Sequence, residues 1–295
     1  MAVAGLLLLT FLFGLFHFIP GDPAQLMAGD NAPEELVKSI RQAYGFDQPL
    51  STQYLSYMSK VLTGDFGLSN YSREPVLPIV FQRFLNTAAL AGCAMLVAMS
   101  VSLLLGSFSA MFWNRPLDKI VTTGSLLGIC TPVFVTGIVG IYVFGVYLRW
   151  LPIGGMASWK HFILPVLTLG IYQAAIFIRM VRSCMIDALG RDFVTTARAK
   201  GAPERRVVFV HALRNALLPI ITLFGLGLGH TLGGSVVTES IFNWPGLGRL
   251  MVDSILSRDL PIIQGSIFVF AMIFILVNMI VDILYTWADP RISYN

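Results

Sequence analysis

The sequence predicts an all-α integral membrane protein with six transmembrane helices. Hydrophobic residues make up 56% of its 295 residues, charged residues only 12%, and the mean hydropathy is +0.74. Soluble domains usually carry about 25% charged residues. Six stretches of eighteen or more residues contain no Asp, Glu, Lys or Arg, and about 20 mostly apolar residues cross the hydrocarbon. The predicted spans are about 2–20, 86–112, 120–147, 161–182, 216–238 and 262–285.

The distribution of basic residues predicts that both termini are cytoplasmic. Eight of the twenty Lys and Arg residues lie from Arg179 to Arg214: two at the end of the fourth predicted span and six in the loop 183–215 that follows it. The positive-inside rule places such a loop in the cytoplasm. The same rule explains the pI near 9.0 without a nucleic-acid partner. We therefore expect a single transmembrane domain over residues 1–295, with a periplasmic segment at 22–83.

The N-terminal part of the chain is expected to stay in the membrane. Residues 1–21 carry no basic residue before the apolar run, which argues against a secretory signal peptide. The sequence leaves open whether a short cytoplasmic lead precedes them. In the periplasmic segment, Asn31 is a cap candidate for a helix that runs to about Tyr44, and a second amphipathic helix covers Gln53 to Val61.

The third and fifth spans contain residues that interrupt or pack membrane helices. A proline frees backbone groups that need other partners, so Pro132 indicates either a kink or a flexing helix that lines a pathway. Gly225, Gly229 and Gly233 recur every fourth residue, and this small-residue face predicts a helix-packing seam. His230 is a functional candidate because it lies within a span. Its alternative role is to donate a hydrogen bond to a carbonyl of a neighbouring helix.

Motifs for enzyme chemistry are missing from the sequence. It contains no GxxxxGK[ST], no HExxH and no GxSxG. The three cysteines and four histidines lack the grouping of metal ligands, so we expect no metal or cofactor on this chain. No charge lies deep in a predicted span, which argues against an ion-coupled carrier. Energy must then enter from elsewhere, and the basic loop is where a soluble partner can bind.

The basic loop has the signals of two short helices. Asp192 is expected to cap a helix from Phe193 to Lys200, and Gly201 to end it. A second helix begins near Pro203. Small side chains on the first helix would allow close contact with a partner surface: Thr195, Thr196, Ala197 and Ala199. The plainer alternative is a basic loop that only anchors the topology.

This loop resembles the EAA loop of ABC importer permeases, most closely the form of the peptide and nickel branch. The resemblance lies in TTARAKG at 195–201 and HALRNALLP at 211–219. Thr195 stands where the general pattern has Glu, and Pro219 falls later than in that pattern, as is usual in the peptide branch. Further motifs follow in the order of the B-type permease subunit, over nearly the whole chain: Ile19–Pro23, Gly45–Pro49, Gly64–Gly67, Asn243–Gly248, Arg258–Pro261 and Asp289–Arg291.

The resemblance implies a type I ABC importer permease fold in the bacterial inner membrane. The chain would form half of a channel for di- or oligopeptides, with nickel or another small solute as the alternative within the branch. An ion-coupled secondary transporter is the alternative from another class. The implied partners are a second, C-type permease subunit, two cytoplasmic ABC ATPases, a periplasmic solute-binding protein and the lipid bilayer. ATP and Mg²⁺ would bind to the ATPases, so this chain is not expected to be an enzyme.

The resemblance also implies the role of the basic loop 183–215, which we therefore name the coupling loop. Its first helix would be the coupling helix, seated in a groove of an ATPase. The residues expected at this contact are Thr195, Thr196, Ala197, Arg198, Ala199, Lys200 and Gly201. Arg198 and Lys200 are expected to pair with acids on the ATPase, and Gly201 to lie where the helix and its partner turn against each other.

Overall fold

The protein is built from helices. The computed structural model describes residues 2–18, 22–28 and 32–288. Within these ranges it has no β-strand, and Leu68 and Pro75 form an isolated antiparallel bridge. The prediction of an all-α protein is therefore confirmed.

Thirteen α-helices and two π-helical segments follow one another along the described part of the chain. The α-helices are α1 (Ala2–Phe18), α2 (Pro23–Ala28), α3 (Glu34–Tyr44), α4 (Leu50–Leu62), α5 (Val76–Met111), α6 (Pro116–Cys130), α7 (Val133–Gly140), α8 (Lys160–Leu189), α9 (Asp192–Ala199), α10 (Glu204–Arg206), α11 (Leu213–Ile241), α12 (Leu247–Leu256) and α13 (Leu260–Ala288). The π-helical segments are Ile141–Tyr147 and Val207–Ala212. The chain divides into two compact units, of which one comprises Met1–Leu85 and Arg249–Ile275 and the other Asn86–Gly248 and Leu276–Asn295.

Several helices are apolar enough to cross a membrane. Among the described residues, three meet the length and composition of a span on their own: Val76–Met111, Lys160–Leu189 and Leu260–Ile280. Two bent pairs meet them together: Pro116–Cys130 with Val133–Tyr147, and Glu204–Leu217 with Pro219–Gly233. Up to five spans can thus be counted, and the six-span topology stays a prediction. The first predicted span, 2–20, corresponds to α1 and extends into residues outside the described ranges.

The third predicted span is broken at Pro132. The axes of α6 and α7 differ by 95° across this break. A proline ring disfavours the helical conformation in the preceding residue, and Thr131 accordingly has an extended backbone with φ −84° and ψ 117°. The break is therefore much sharper than a kink within one continuous helix.

The first unit contains most of the predicted periplasmic segment. α3 ends at Tyr44, as predicted, and α4 contains the second predicted helix, Gln53 to Val61. Pro33 occupies the N-cap position of α3, and the cap candidate Asn31 lies outside the described residues. The backbone of these helices agrees with their sequence signals.

The second unit has its hydrophobic core between α8 and α11. Of the three single spans, α8 is the most enclosed, because 61% of its most apolar window is buried, against 33% in α5 and 22% in α13. The rings of Phe177 in α8 and Phe224 in α11 meet edge to face with centroids 4.7 Å apart. Gly227 allows this approach, since a Cβ atom there would lie 2.3 Å from Cζ of Phe177.

A buried ion pair ties α8 to the turn between α5 and α6. Asp118 is 3% exposed, and Nε and Nη2 of Arg182 donate to its two carboxylate oxygens at 2.7 and 2.8 Å. Oγ of Ser109 and the backbone N–H of Asn114 donate to the same carboxylate at 2.5 and 2.9 Å. A buried charge with a full set of donors is held in one geometry. The ion pair therefore positions the end of α8, from which the coupling loop begins.

A second buried carboxyl group lies near the C-terminal end of α11. Glu239 is fully buried, and Oγ1 of Thr87 and Oγ of Ser235 donate to its Oε1 at 2.7 and 3.0 Å. The backbone N–H of Leu247 donates to Oγ1 of Thr87 at 2.8 Å. Nε1 of the buried Trp244 donates to a carbonyl in α5 at 3.1 Å. This network fastens the turn after α11 to α5.

Removing the charge of Asp118 should destabilise the second unit. In Asp118→Asn, the guanidinium of Arg182 loses its anionic partner in a partly buried position, which costs about 3 kcal/mol. We expect the melting temperature of the detergent-purified protein to fall by roughly 6 °C. The exposed Asp187→Asn serves as a control, because surface changes usually stay within about 0.5 kcal/mol. An unchanged melting temperature in Asp118→Asn would contradict the assigned role of this pair.

A methyl group added at Gly227 should lower the stability of the protein, whereas one added at Gly124 should not. Gly227→Ala places a carbon against the Phe177 ring, and such overpacking costs about 1–3 kcal/mol. Gly124 in α6 has no heavy atom within 4 Å of an added Cβ. Gly124→Ala should therefore gain up to about 1 kcal/mol, because alanine favours the helix. Thermal unfolding of both variants checks this, and equal shifts would show that the approach at Gly227 is not close.

Candidate functional site

The coupling loop begins with the short helix α9. Arg191 has an extended backbone, with φ −85° and ψ 152°, and occupies the N-cap position of this helix. Asp192 is the first helical residue, and no side chain caps the helix. The prediction that Asp192 is the cap is therefore wrong by one residue. A carboxylate in the first turn still interacts favourably with the positive end of the helix dipole.

Gly201 ends α9 in the predicted way. Its φ is +76°, a conformation that side chains disfavour. The backbone N–H of Gly201 donates to the carbonyl of Arg198 at 2.9 Å, and that of Ala202 to the carbonyl of Ala197 at 3.2 Å. These are the two hydrogen bonds of a Schellman motif. A Cβ atom on Gly201 would have no heavy atom within 4 Å, so the turn is open to an approaching surface.

The short helix α9 has one buried face and one exposed face. Val194 is fully buried in a hydrophobic cluster with Met185 of α8 and Val208 of the π-helical segment after α10. Ala197, one turn later, is half-buried against the same cluster. The other residues expected at the ATPase contact are exposed: Thr195, Thr196, Arg198, Ala199, Lys200 and Gly201. The exposed face is therefore made mostly of small side chains on a firmly anchored helix.

Arg198 has a partner within the loop itself. Its Nη2 and Nε donate to Oε1 and Oε2 of Glu204 at 2.6 and 3.1 Å. The hydrogen bond from Arg198 holds the pKa of the Glu204 carboxyl below its usual value. Both side chains are nearly half exposed, and such surface pairs contribute only about 0–1 kcal/mol. An acid on an ATPase would have to compete with Glu204 for Arg198, whereas Lys200 is exposed and has no ion pair among the described residues.

The residues predicted for helix packing or a pathway are not brought together at one site. Pro132 is exposed at the break between α6 and α7. In α11, Gly229 is buried, Gly225 is half-buried and Gly233 is exposed. The side chain of His230 lies outside those that the structure describes. The packing seam and the pathway role stay predictions, and the close contact described above is made by Gly227.

Sequence reasoning missed the two buried carboxyl groups. Asp118 and Arg182 are separated by 64 positions in the chain, and no local pattern relates them. The fifth predicted span ends at residue 238, whereas α11 continues to Ile241 and contains Glu239. A single acid directly after a long uncharged run was the available signal for Glu239. The partners of both groups come from distant helices, which local sequence patterns do not reveal.

The described residues contain no group of three or more His, Cys, Asp and Glu side chains that could hold a metal ion. In the coupling loop, the side chains of Thr196 and Asn215 donate to backbone carbonyls, and Arg198 and Glu204 form a surface ion pair.

Family models match almost the whole chain. Residues 102–294 match the family described as "Binding-protein-dependent transport system inner membrane component". Residues 1–91 match the N-terminal model of the same transport systems, described as "Binding-prot-dependent transport system membrane comp, N-term". The first model contains the coupling loop and the second contains the predicted periplasmic segment.

Curated relatives agree with this match over the full length. The glutathione transport system permease protein GsiC of Escherichia coli K12 is 46% identical over 287 residues, which are 97% of this chain and 93% of the relative. The protein of the same name from Salmonella choleraesuis is 45% identical with the same coverage.

Solved structures show the same fold at low sequence identity. An inward-facing structure of the MetNI methionine ABC transporter aligns with a TM-score of 0.61 at 16% identity, covering 72% of this chain and 96% of that chain. A crystal structure of an amino acid ABC transporter with histidines aligns with a TM-score of 0.57 at 16% identity, covering 70% and 93%. The fold is thus the predicted type I ABC importer permease fold. The chain belongs to the binding-protein-dependent transport system inner membrane component family and is the permease subunit of an ABC importer.

Proposed function

We propose that this permease subunit forms half of a membrane channel that imports short peptides. Its relatives with 46% identity are named for glutathione transport, and glutathione is a tripeptide. The TTARAKG and HALRNALLP segments of the coupling loop are similar to those of the peptide branch. Both observations support di- or oligopeptides as the substrate class.

The proposal depends most on the exposed face of α9 and the open turn at Gly201. We assign ATPase docking to residues 195–201, because small exposed side chains allow a groove to close around a helix. Short side chains also lose little conformational entropy on binding. The fully buried Val194 keeps the helix in place before the partner arrives. ATP and Mg²⁺ would bind to the partner ATPase.

Motion of α9 would reach the membrane helices through this anchor. The cluster around Val194 includes Met185 of α8 and Ala216 and Ile220 of α11, so a displacement of α9 moves the ends of both helices. Closure of two ATPases on ATP would then rock the two permease subunits from inward-open to outward-open.

The other proposed partners follow from the family and from the charge distribution. A C-type permease subunit would complete the channel, two ABC ATPases would bind the coupling loops, and a periplasmic binding protein would deliver the peptide. The family description, which names dependence on a binding protein, supports this set. The basic coupling loop supports a bacterial inner-membrane location with both termini cytoplasmic. A packing or pathway role for Pro132, Gly225, Gly229, His230 and Gly233 is proposed on their sequence pattern alone.

A bulky side chain at Gly201 should block docking of the ATPase. In Gly201→Trp, the indole occupies the open space beside the turn, and the tagged permease should no longer co-purify with the ATPase. We expect peptide uptake to fall more than tenfold. The free energy of unfolding should fall only by the cost of a side chain at positive φ, about 1–2 kcal/mol.

Two control variants separate bulk from backbone strain. Gly201→Ala has the same strain but leaves the surface open, and it should retain ATPase binding. Lys119→Trp adds an indole at an exposed position outside the coupling loop and should behave as the wild type. If Gly201→Trp binds the ATPase and imports peptide normally, the coupling loop does not dock there.

The substrate class can be tested by uptake into cells that express the complete operon. Labelled dipeptide, tripeptide, glutathione and nickel would be offered separately to wild type and to a strain without the permease. Import of peptides that depends on the permease supports the proposal. Import of nickel alone, or import without any ATPase, would overturn it.

A further inference from the structure

The first unit contains a pocket whose polar groups are not used by the coupling mechanism. It has a volume of 310 Å³ and lies among α1, the turn after α3, α4, the turn before α5 and the start of α13. Its apolar wall includes Phe13, Phe46 and Phe66. Ligand sites typically have volumes of about 300–1,000 Å³ and few polar groups among apolar ones.

A buried hydroxyl group in this pocket lacks a partner. Oη of Tyr57 is buried and has no hydrogen-bond partner in the part of the chain that the structure describes. Burial, together with the neighbouring Tyr54, raises the pKa of Tyr57 to about 12, so the hydroxyl keeps its proton and can donate it. A buried polar group without a partner is unfavourable, and a ligand acceptor would relieve this.

The pocket also holds one cation and one anion. The backbone N–H of Asp65 donates to the carbonyl of Lys60 at 2.8 Å, so the two residues are close in space. Among the described residues, neither side chain forms an ion pair. Oδ1 of Asp65 accepts from the backbone N–H of Gly67 at 2.9 Å, which holds the carboxylate while Oδ2 stays open.

The walls of the pocket are preformed. Nε2 of Gln53 donates to the carbonyls of Phe46 and Gln48 at 3.2 and 2.8 Å and thereby fixes the turn after α3. The ring of Phe66 packs on Phe268 with centroids 5.2 Å apart. A ligand would therefore lose little free energy to ordering of the site.

We propose that this pocket binds a zwitterion of dipeptide size. Its anionic group would lie against Lys60 and the hydroxyl of Tyr57, and its ammonium group against Asp65. Its apolar part would lie on the phenylalanine wall. A short peptide and the phosphoethanolamine headgroup of a lipid share this chemistry. The identification of the ligand as a peptide, and the periplasmic location of the pocket, rest on the proposed function. The chemistry of binding does not.

The peptide source can be tested with glycyl-leucine and the purified complex of permeases and ATPases, without the binding protein. Equilibrium dialysis should detect binding that Tyr57→Phe and Lys60→Gln each weaken about tenfold. Tyr71→Phe and Lys38→Gln change exposed residues outside the pocket; they are matched controls and should keep the wild-type affinity. Glycyl-leucinamide lacks the carboxylate, so Lys60→Gln should weaken glycyl-leucine much more than this analogue.

The lipid source can be tested on the same variants by native mass spectrometry. Complexes would be released from nanodiscs of phosphatidylethanolamine or of phosphatidylglycerol, and the retained lipid counted. If the headgroup is the ligand, the wild type retains one more phosphatidylethanolamine than Tyr57→Phe or Lys60→Gln. Phosphatidylglycerol, which lacks the ammonium group, shows no such difference.

If glycyl-leucine or phosphatidylethanolamine binds the wild type and both variants weaken its binding, the result supports the pocket and identifies the type of ligand. If neither probe binds, or if the variants bind as well as the wild type, the inference is overturned. Equal weakening of glycyl-leucine and its amide in Lys60→Gln also overturns it. Peptide uptake is measured separately, in cells that express the wild type or a variant. Uptake by the wild type tests the proposed function, whereas the binding measurements test the pocket.

Discussion

The close packing of α8 against α11 is the contact on which the rest of the second unit depends. The coupling loop leaves the end of α8 and leads into α11, so the position of α9 follows from the distance between these two helices. The rings of Phe177 and Phe224 and the absence of a side chain at Gly227 set that distance. Val194 then joins the same hydrophobic cluster from the loop side. A partner that moves α9 therefore moves the helices and not merely a flexible loop.

Two buried carboxyl groups hold α5 to the other helices of this unit at two widely separated points. Thr87 contacts Glu239, and Ser109 contacts Asp118; along a helix these positions are roughly 33 Å apart. Apolar helices slide past one another at little cost, because dispersion contacts are not directional. Hydrogen bonds to a buried acid are directional and fix the register. The two networks thus hold α5 in a fixed register against the other apolar helices of this unit.

The coupling loop has one face that anchors it and another that is available for the proposed contact with an ATPase. Its buried face, with Val194 and Ala197, belongs to the hydrophobic cluster, while Thr195, Thr196 and Ala199 face outward. Arg198 pairs with Glu204 inside the loop, so the exposed face carries less free charge than its composition indicates. Shape and small side chains, more than charge, are then the basis of the proposed contact with an ATPase. The left-handed turn at Gly201 completes this surface, because a larger residue there would be strained and would project into open space.

The sequence by itself determined the membrane class, the family, the bounds of α3 and α4 to within a few residues and the end of α9 at Gly201. These features depend on composition and on interactions within a few residues, which apolar runs, glycines and prolines report directly. Only the tertiary structure decided the partners of Asp118, Glu239 and Arg198, the sharpness of the break at Pro132 and the role of Gly227 as the packed glycine. Each of these depends on which distant side chain lies opposite, and a buried acid or a glycine carries no local mark of that neighbour. The pocket at Tyr57 and Lys60 is of the same kind, since it forms only where several separate segments of the chain meet.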